Sequence, residues 1–241
     1  MLVAAAVCPC PPLLVPEVAS GAAPEMDAAR AACVDALGVL AAARPDRLVV
    51  VGPAAERESG PYPEGTRGSF RGFGVDLGVR LGRETSETGG ARTLPVSLSV
   101  AAWLLERTGW ADAPIESLAV GEPLDAERCI SIGREIVGEA AAAERVALLV
   151  MGDASACRTL KAPGYLDERA EPYDAAVARA LGTADIEAIR GLDLRLSREL
   201  KASGRAPWQV LAGAAEHAGL SGALLYDEAP YGVGYLVATW S

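Results

Sequence analysis

His217 is the only histidine in the 241-residue chain. That scarcity excludes any single-chain metal site made of two imidazoles and a carboxylate. Aromatic residues are also few, at 5%, so Ala, Val and Leu must fill the core, and Ala-rich helices follow from the high helix propensity of alanine. A basic excess is missing too. The net charge is -10, which argues against a nucleic-acid partner, because phosphate binding needs clustered Lys and Arg. The opening residues lack a positively charged n-region, and the apolar run of Val3 to Val7 meets proline too soon for a signal core or a membrane span. A cytoplasmic protein with no membrane partner is therefore expected. Five cysteines, Cys8, Cys10, Cys33, Cys129 and Cys157, form an odd, scattered set. A secreted disulfide framework is even and dense, so free thiols are expected.

What is present reads as one α/β domain over 1–241, with a mostly parallel or mixed central sheet flanked by helices. An apolar strand over 1–8 is followed by a helix over 27–43, then a strand over 48–51 launched by Pro45. Residues 57–95 are rich in Gly, Ser, Thr and charge, with a short alternating patch over 75–81 that suits a strand or hairpin arm. A helix over 96–110, a strand over 114–123 and a helix over 124–144 come next. The run over 145–151 is the strongest strand signal and stops at a Gly-Asp-x-Ser turn. Helical segments over 173–181, 184–191, 192–203 and 206–220 precede a closing pair of strands. No P-loop, dinucleotide fingerprint, nucleophile elbow or zinc finger is present.

In parallel α/β sheets, functional side chains gather where strands end. Three such ends stand out: "VAAAVCPCPPLLVPEV", "PDRLVVVGPAAE" and "LLVMGDASA". With the closing "YGVGYLVATW", these stretches resemble, in order and spacing, the LigB-type class III extradiol ring-cleavage dioxygenases and the related Memo proteins. The resemblance implies an Fe(II) site of two histidines and one carboxylate, an acid/base histidine, and a catechol substrate bound beside O2. Carried over residue by residue, the first metal histidine falls on Cys10 and the second on Ala54. Glu56 matches an acidic position, and the acid/base histidine falls on Ala156, flanked by Asp153 and Ser155. The carboxylate ligand has no firm counterpart; Asp227 and Glu228 are the nearest acidic residues. With all three histidines replaced, the chain is expected to have no iron cofactor. Its role is then binding a small molecule or protein, or an iron-independent reaction. The alternative is an active ring-cleaving enzyme with non-standard ligands such as Cys10, Glu56 and a C-terminal carboxylate.

Each residue also has a plainer reading. Cys8, Cys10 and Cys157, with Glu56, either converge on a soft metal or are buried small side chains. Asp153 and Ser155 either line the cleft or cap a helix. His217 sits on a predicted helix as a catalytic or a surface residue. Arg67, Phe70, Arg71 and Phe73 either clamp a small aromatic or anionic ligand or belong to a surface loop. Tyr165 and Tyr173 either close a lid over the cleft or pack an ordinary connection. A homo-oligomer or a second subunit is a further expected partner, with 57–95 as its contact.

Overall fold

The run LVAAAVC offers no polar side chain to solvent and becomes β1 (Leu2–Cys8), buried from Ala4 onward. Strands covered on both faces read as continuous apolar runs in this way. The computed structural model describes residues 1–84, 92–138 and 144–241. After β1 come α1 (Pro16–Ala19), α2 (Asp27–Ala42) and β2 (Arg47–Ala54). Three short strands follow, β3 (Gly60–Tyr62), β4 (Arg67–Ser69) and β5 (Gly78–Arg80), then α3 (Val96–Thr108) and β6 (Ile115–Gly121). The second half runs α4 (Ala126–Gly138), β7 (Val146–Met151), α5 (Ala170–Gly182), α6 (Ile186–Arg190), α7 (Leu194–Glu199) and α8 (Arg205–Ala215). The chain closes with β8 (Gly222–Glu228) and β9 (Tyr235–Trp240).

Seven strands form one mixed sheet in the order β3-β6-β2-β7-β1-β9-β8. Its centre is parallel: β6, β2, β7 and β1 point the same way, β3 and β9 flank them antiparallel, and the edge strand β8 pairs antiparallel with β9. Alternate residues supply the two core layers. Ala4, Ala6, Cys8, Leu48, Val50, Leu149 and Met151 pack with α2 and α3 on one face. Ala5, Val7, Val49, Val51, Leu148 and Val150 pack with α5 and α8 on the other. This is the expected α/β class, a single domain with helices on both faces. No described helix is long and apolar enough to cross a membrane.

Three details differ from the sequence reading. The segment over 57–95 adds two strands to the expected arm: β3 extends the main sheet, and β4 pairs with β5, which lies in the alternating patch over 75–81. β3 and β4 are each three residues long, too short for a clear alternation signal. Residues 85–91 of that segment and 139–143 of the helix expected to reach 144 lie outside the described residues. His217 is not in a helix. α8 ends at Ala215, where the Ala218 N–H turns back to the Ala215 carbonyl, and neighbouring Glu216 is held by Arg134 and Arg190.

Candidate functional site

The four parallel strands release their chains at one edge of the sheet. Cys8 lies opposite Met151 in the register, so the segments after β1 and β7 leave side by side. Ala54 lies opposite Gly121, which puts Glu122 beside the end of β2. The helices that follow adjacent strands cover opposite faces, and the crevice between them is where α/β sheets bind ligands. Here it is an open cleft of about 470 Å³, lined by Cys10, Pro53, Ala54, Glu56, Glu122 and Ser203, with Val96 and Ser97 from the start of α3.

Its floor is tied down by backbone and hydroxyl groups. The Cys10 N–H donates to Asp153 Oδ1 at 2.8 Å. The Asp153 N–H donates to Ser203 Oγ at 3.1 Å, and the Gly204 N–H donates to the Asp153 carbonyl at 2.9 Å. Ser97 fastens the opposite wall, its hydroxyl donating to the Pro53 carbonyl at 2.6 Å. Asp153 therefore caps no helix; its carboxyl locks the Cys10 turn to the end of β7.

Burial sets the charge state. It pushes the Asp153 carboxyl up to about 7, against the pull of the Cys10 N–H. It pushes Glu122 up to about 7 as well, against the attraction of Arg205. The Cys10 thiol is raised well above its ordinary value by burial, then by the negative charges of Asp153 and Glu122, with the Ser203 hydroxyl acting the other way. Burial, then Asp153 and Cys10, likewise raise the Tyr235 phenol, which lies on β9 beside this floor. Burial thus favours the protonated form of the Cys10 thiol and of both carboxyls. A thiol in that state is neither a ready nucleophile nor a ready metal ligand.

A pH dependence follows. Asp153 binds its proton more tightly folded than unfolded, so its stabilising contribution is present below pH about 4 and is lost as pH rises through about 7. Asp153→Asn removes that loss while keeping an acceptor for the Cys10 N–H. Urea titrations at pH 5 and pH 8 should show the variant gaining on the wild type at the higher pH, by roughly 1 to 3 kcal/mol. A difference that does not change with pH contradicts the assignment.

Of the residues singled out in the sequence, the structure brings Cys10, Ala54 and Glu56 to this cleft, and Asp153 adjoins it through its bond to the Cys10 N–H. Others lie elsewhere. Ser155 is fully buried and turned to Asp174. The Ala156 N–H donates to the Leu200 carbonyl, and Ala156 is not part of the cleft wall. The proposed thiolate set is not assembled: Cys8 points to Cys33 on α2, Cys157 lies against the Leu200 carbonyl, and only Cys10 reaches the cleft. Residues two apart on a strand share a face, but the proline turn after Cys8 breaks that relation for Cys10. His217 lines a separate cavity with Met1 and Leu2, at the start of β1, the full length of the strand from Cys10.

The arginine-phenylalanine clamp is not formed either. Arg67 pairs with Glu84 and Arg71 with Asp76, Phe70 is core and Phe73 is exposed. Tyr165 is exposed, whereas Tyr173 is buried and hydrogen-bonded to Ser197, so the two make no lid. Asp227 and Glu228 sit exposed on the edge strand β8 and do not enter the cleft. No lysine or arginine is among the described residues that line the cleft.

Glu122 is the functional residue that sequence reasoning missed. Its signal is present in the chain: "SLAVGEP" is a fourth strand end of the same kind as the three searched. Arg205 was also missed. Fully buried, it donates to the backbone carbonyls of Glu122 and Leu124 and to Gln209 Oε1, and so fixes the turn that carries Glu122.

No protein-family model matches the chain, and no curated protein matches it. Among solved structures, it is similar to the crystal structure of an uncharacterized protein from Escherichia coli K12. The TM-score is 0.57 and the identity 12%, covering 99% of this chain and 100% of that one. That likeness shows the shared fold over the whole chain.

Proposed function

We propose that this is a LigB/Memo-like protein that has lost the iron site of those enzymes and uses the remaining cleft to bind a small molecule. The observation that carries the reading is the pairing of Cys10 with Ala54 in one cleft. Those are the two positions where the resemblance calls for histidine. A methyl group has no lone pair, and Cys10 keeps its proton at neutral pH, so Fe(II) does not fit the donor set at this place. Among the described residues, no group of three or more His, Cys, Asp or Glu is arranged to hold a metal ion. The position matching the acid/base histidine is an alanine outside the cleft, so proton transfer in the manner of the ring-cleaving enzymes has no carrier there.

The test is to purify the chain without an affinity tag, offer Fe(II) anaerobically, remove the excess and measure both iron content and oxygen uptake with a panel of catechols. Less than about a tenth of an equivalent of iron and no catechol-dependent uptake are expected. Stoichiometric iron with ring cleavage that disappears in Cys10→Ala overturns the proposal in favour of an enzyme with unusual ligands.

A further inference from the structure

Resting on the iron-free binding reading, we propose that the cleft takes an organic cation. Its ammonium or amidinium head lies between Asp153 and Glu122 above Cys10, and its apolar body lies against Pro53, Ala54, Pro123 and Val96. Three observations lead there. First, the charged groups at the cleft have one sign: Glu56 and Glu122 line it, and Asp153, bonded to the N–H of the lining residue Cys10, adds a third carboxyl next to it, with no basic residue among the described lining. The guanidinium that acts on Glu122, Arg205, is fully buried; its Nη1 and Nη2 are committed to Gln209 and to the Glu122 and Leu124 carbonyls, its Nε has no partner, and it is not among the cleft lining.

Second, Glu122 Oε1 is buried and has no hydrogen-bond partner. An acceptor left in that condition costs about 1 to 3 kcal/mol, and a charged N–H donor is the partner that relieves it best. Third, the remaining lining is apolar or hydroxylic, with Pro53, Ala54, Ala55, Val96 and Pro123 beside Ser97 and Ser203. That mixture suits an apolar body with a polar head. Anionic ligands would meet like charge, and the absence of a three-ligand arrangement among the described residues favours an organic cation over a metal ion.

The titratable groups around this point are Cys10 after β1, Glu56 after β2, Glu122 after β6, Asp153 after β7 and Tyr235 on β9, with Arg205 on α8 acting on Glu122 and Cys8 turned away to Cys33. Because both carboxyls are pushed up to about 7, seating a cation expels protons, and affinity rises with pH across neutrality.

The experiment titrates the full chain with benzylammonium chloride, benzyl alcohol and sodium benzoate at pH 6, 7 and 8 by calorimetry, in buffers of different ionisation heat. Benzylammonium should bind about tenfold or more tightly than benzyl alcohol at pH 8, gain about tenfold between pH 6 and pH 8, and release protons as it binds. Asp153→Asn and Glu122→Gln should each reduce its affinity about tenfold toward that of the alcohol, with folding confirmed by near-ultraviolet circular dichroism. The comparison of the three probes on the wild type needs no variant. Equal or tighter binding of the alcohol or benzoate, or no preference at any pH, overturns the inference. Iron content and catechol-dependent oxygen uptake are measured on the same preparation. Iron-loaded, catechol-active protein overturns the proposed function, whereas iron-free protein indifferent to benzylammonium overturns only this inference.

Discussion

Asp174→Ala is expected to cost roughly 3 to 5 kcal/mol of stability. Asp174 lies on α5 with 1% of its surface exposed. Its Oδ1 accepts the Ser155 N–H at 2.8 Å, and its Oδ2 accepts the Ser155 hydroxyl at 2.8 Å and Arg158 Nη1 at 3.1 Å. Truncation leaves two buried donors on Ser155 and strips the partly buried Arg158 of its best-shielded partner. Burial already raises this carboxyl, opposed by Ser155 and Arg158, so the pair is finely balanced and depends on every donor being present. Asp174→Asn keeps the shape and one acceptor, and should cost about half as much. Urea midpoints with unchanged slope would report it. A loss under about 1 kcal/mol for the alanine variant would mean that this network does not hold the loop. The consequence for the site is direct, because the segment fastened by Ser155 also carries Asp153.

The same residues show what can be read from a sequence and what cannot. "GDASA" after an apolar run announces a strand end, and the strand was legible because burial on two faces leaves a continuous apolar signature. The sequence could not tell that Asp153 and Ser155, two positions apart, serve different layers. Asp153 turns toward Cys10 and the cleft, while Ser155 turns toward α5 and a carboxylate 19 residues away. Partners of that separation depend on how α5 returns to the sheet, which no local pattern encodes. Glu122 illustrates the reverse. Its place beside Ala54 follows from the β2–β6 register, so it becomes visible once the strand order is known, and a strand end weaker than its neighbours draws less attention. The cysteines were legible as free, buried thiols, and all five are buried. Which of them faces the cleft depended on the proline turn after β1. Arg67 and Arg71 looked free to bind because their partners Glu84 and Asp76 are brought close by the β4–β5 hairpin, of which only the β5 arm carries a sequence signal.

Gly152→Val should be comparably damaging, at roughly 3 to 4 kcal/mol, and should damage the cleft before the rest of the fold. Gly152 follows β7 directly, and its N–H donates to the Cys8 carbonyl at 3.0 Å, which pins the ends of β1 and β7 together. A Cβ at this position would run into the backbone of Gly204 at the start of α8. Gly204 cannot retreat, because its own Cβ position is occupied by the Trp208 indole. The strain must therefore separate α8 from the strand end. The first hydrogen bonds to break are those from the Gly204 N–H to the Asp153 carbonyl and from the Asp153 N–H to Ser203 Oγ. Both hold the floor under Cys10, a residue 7% exposed in the native protein and further restrained by Ser203. Thiol labelling below the melting temperature should then modify Cys10 about tenfold faster in Gly152→Val than in the wild type, with Cys10→Ser in the same background identifying the site. Faster labelling of the core pair Cys8 and Cys33, with Cys10 still protected, would show that the strain is released through the sheet and that Gly152 does not govern the cleft.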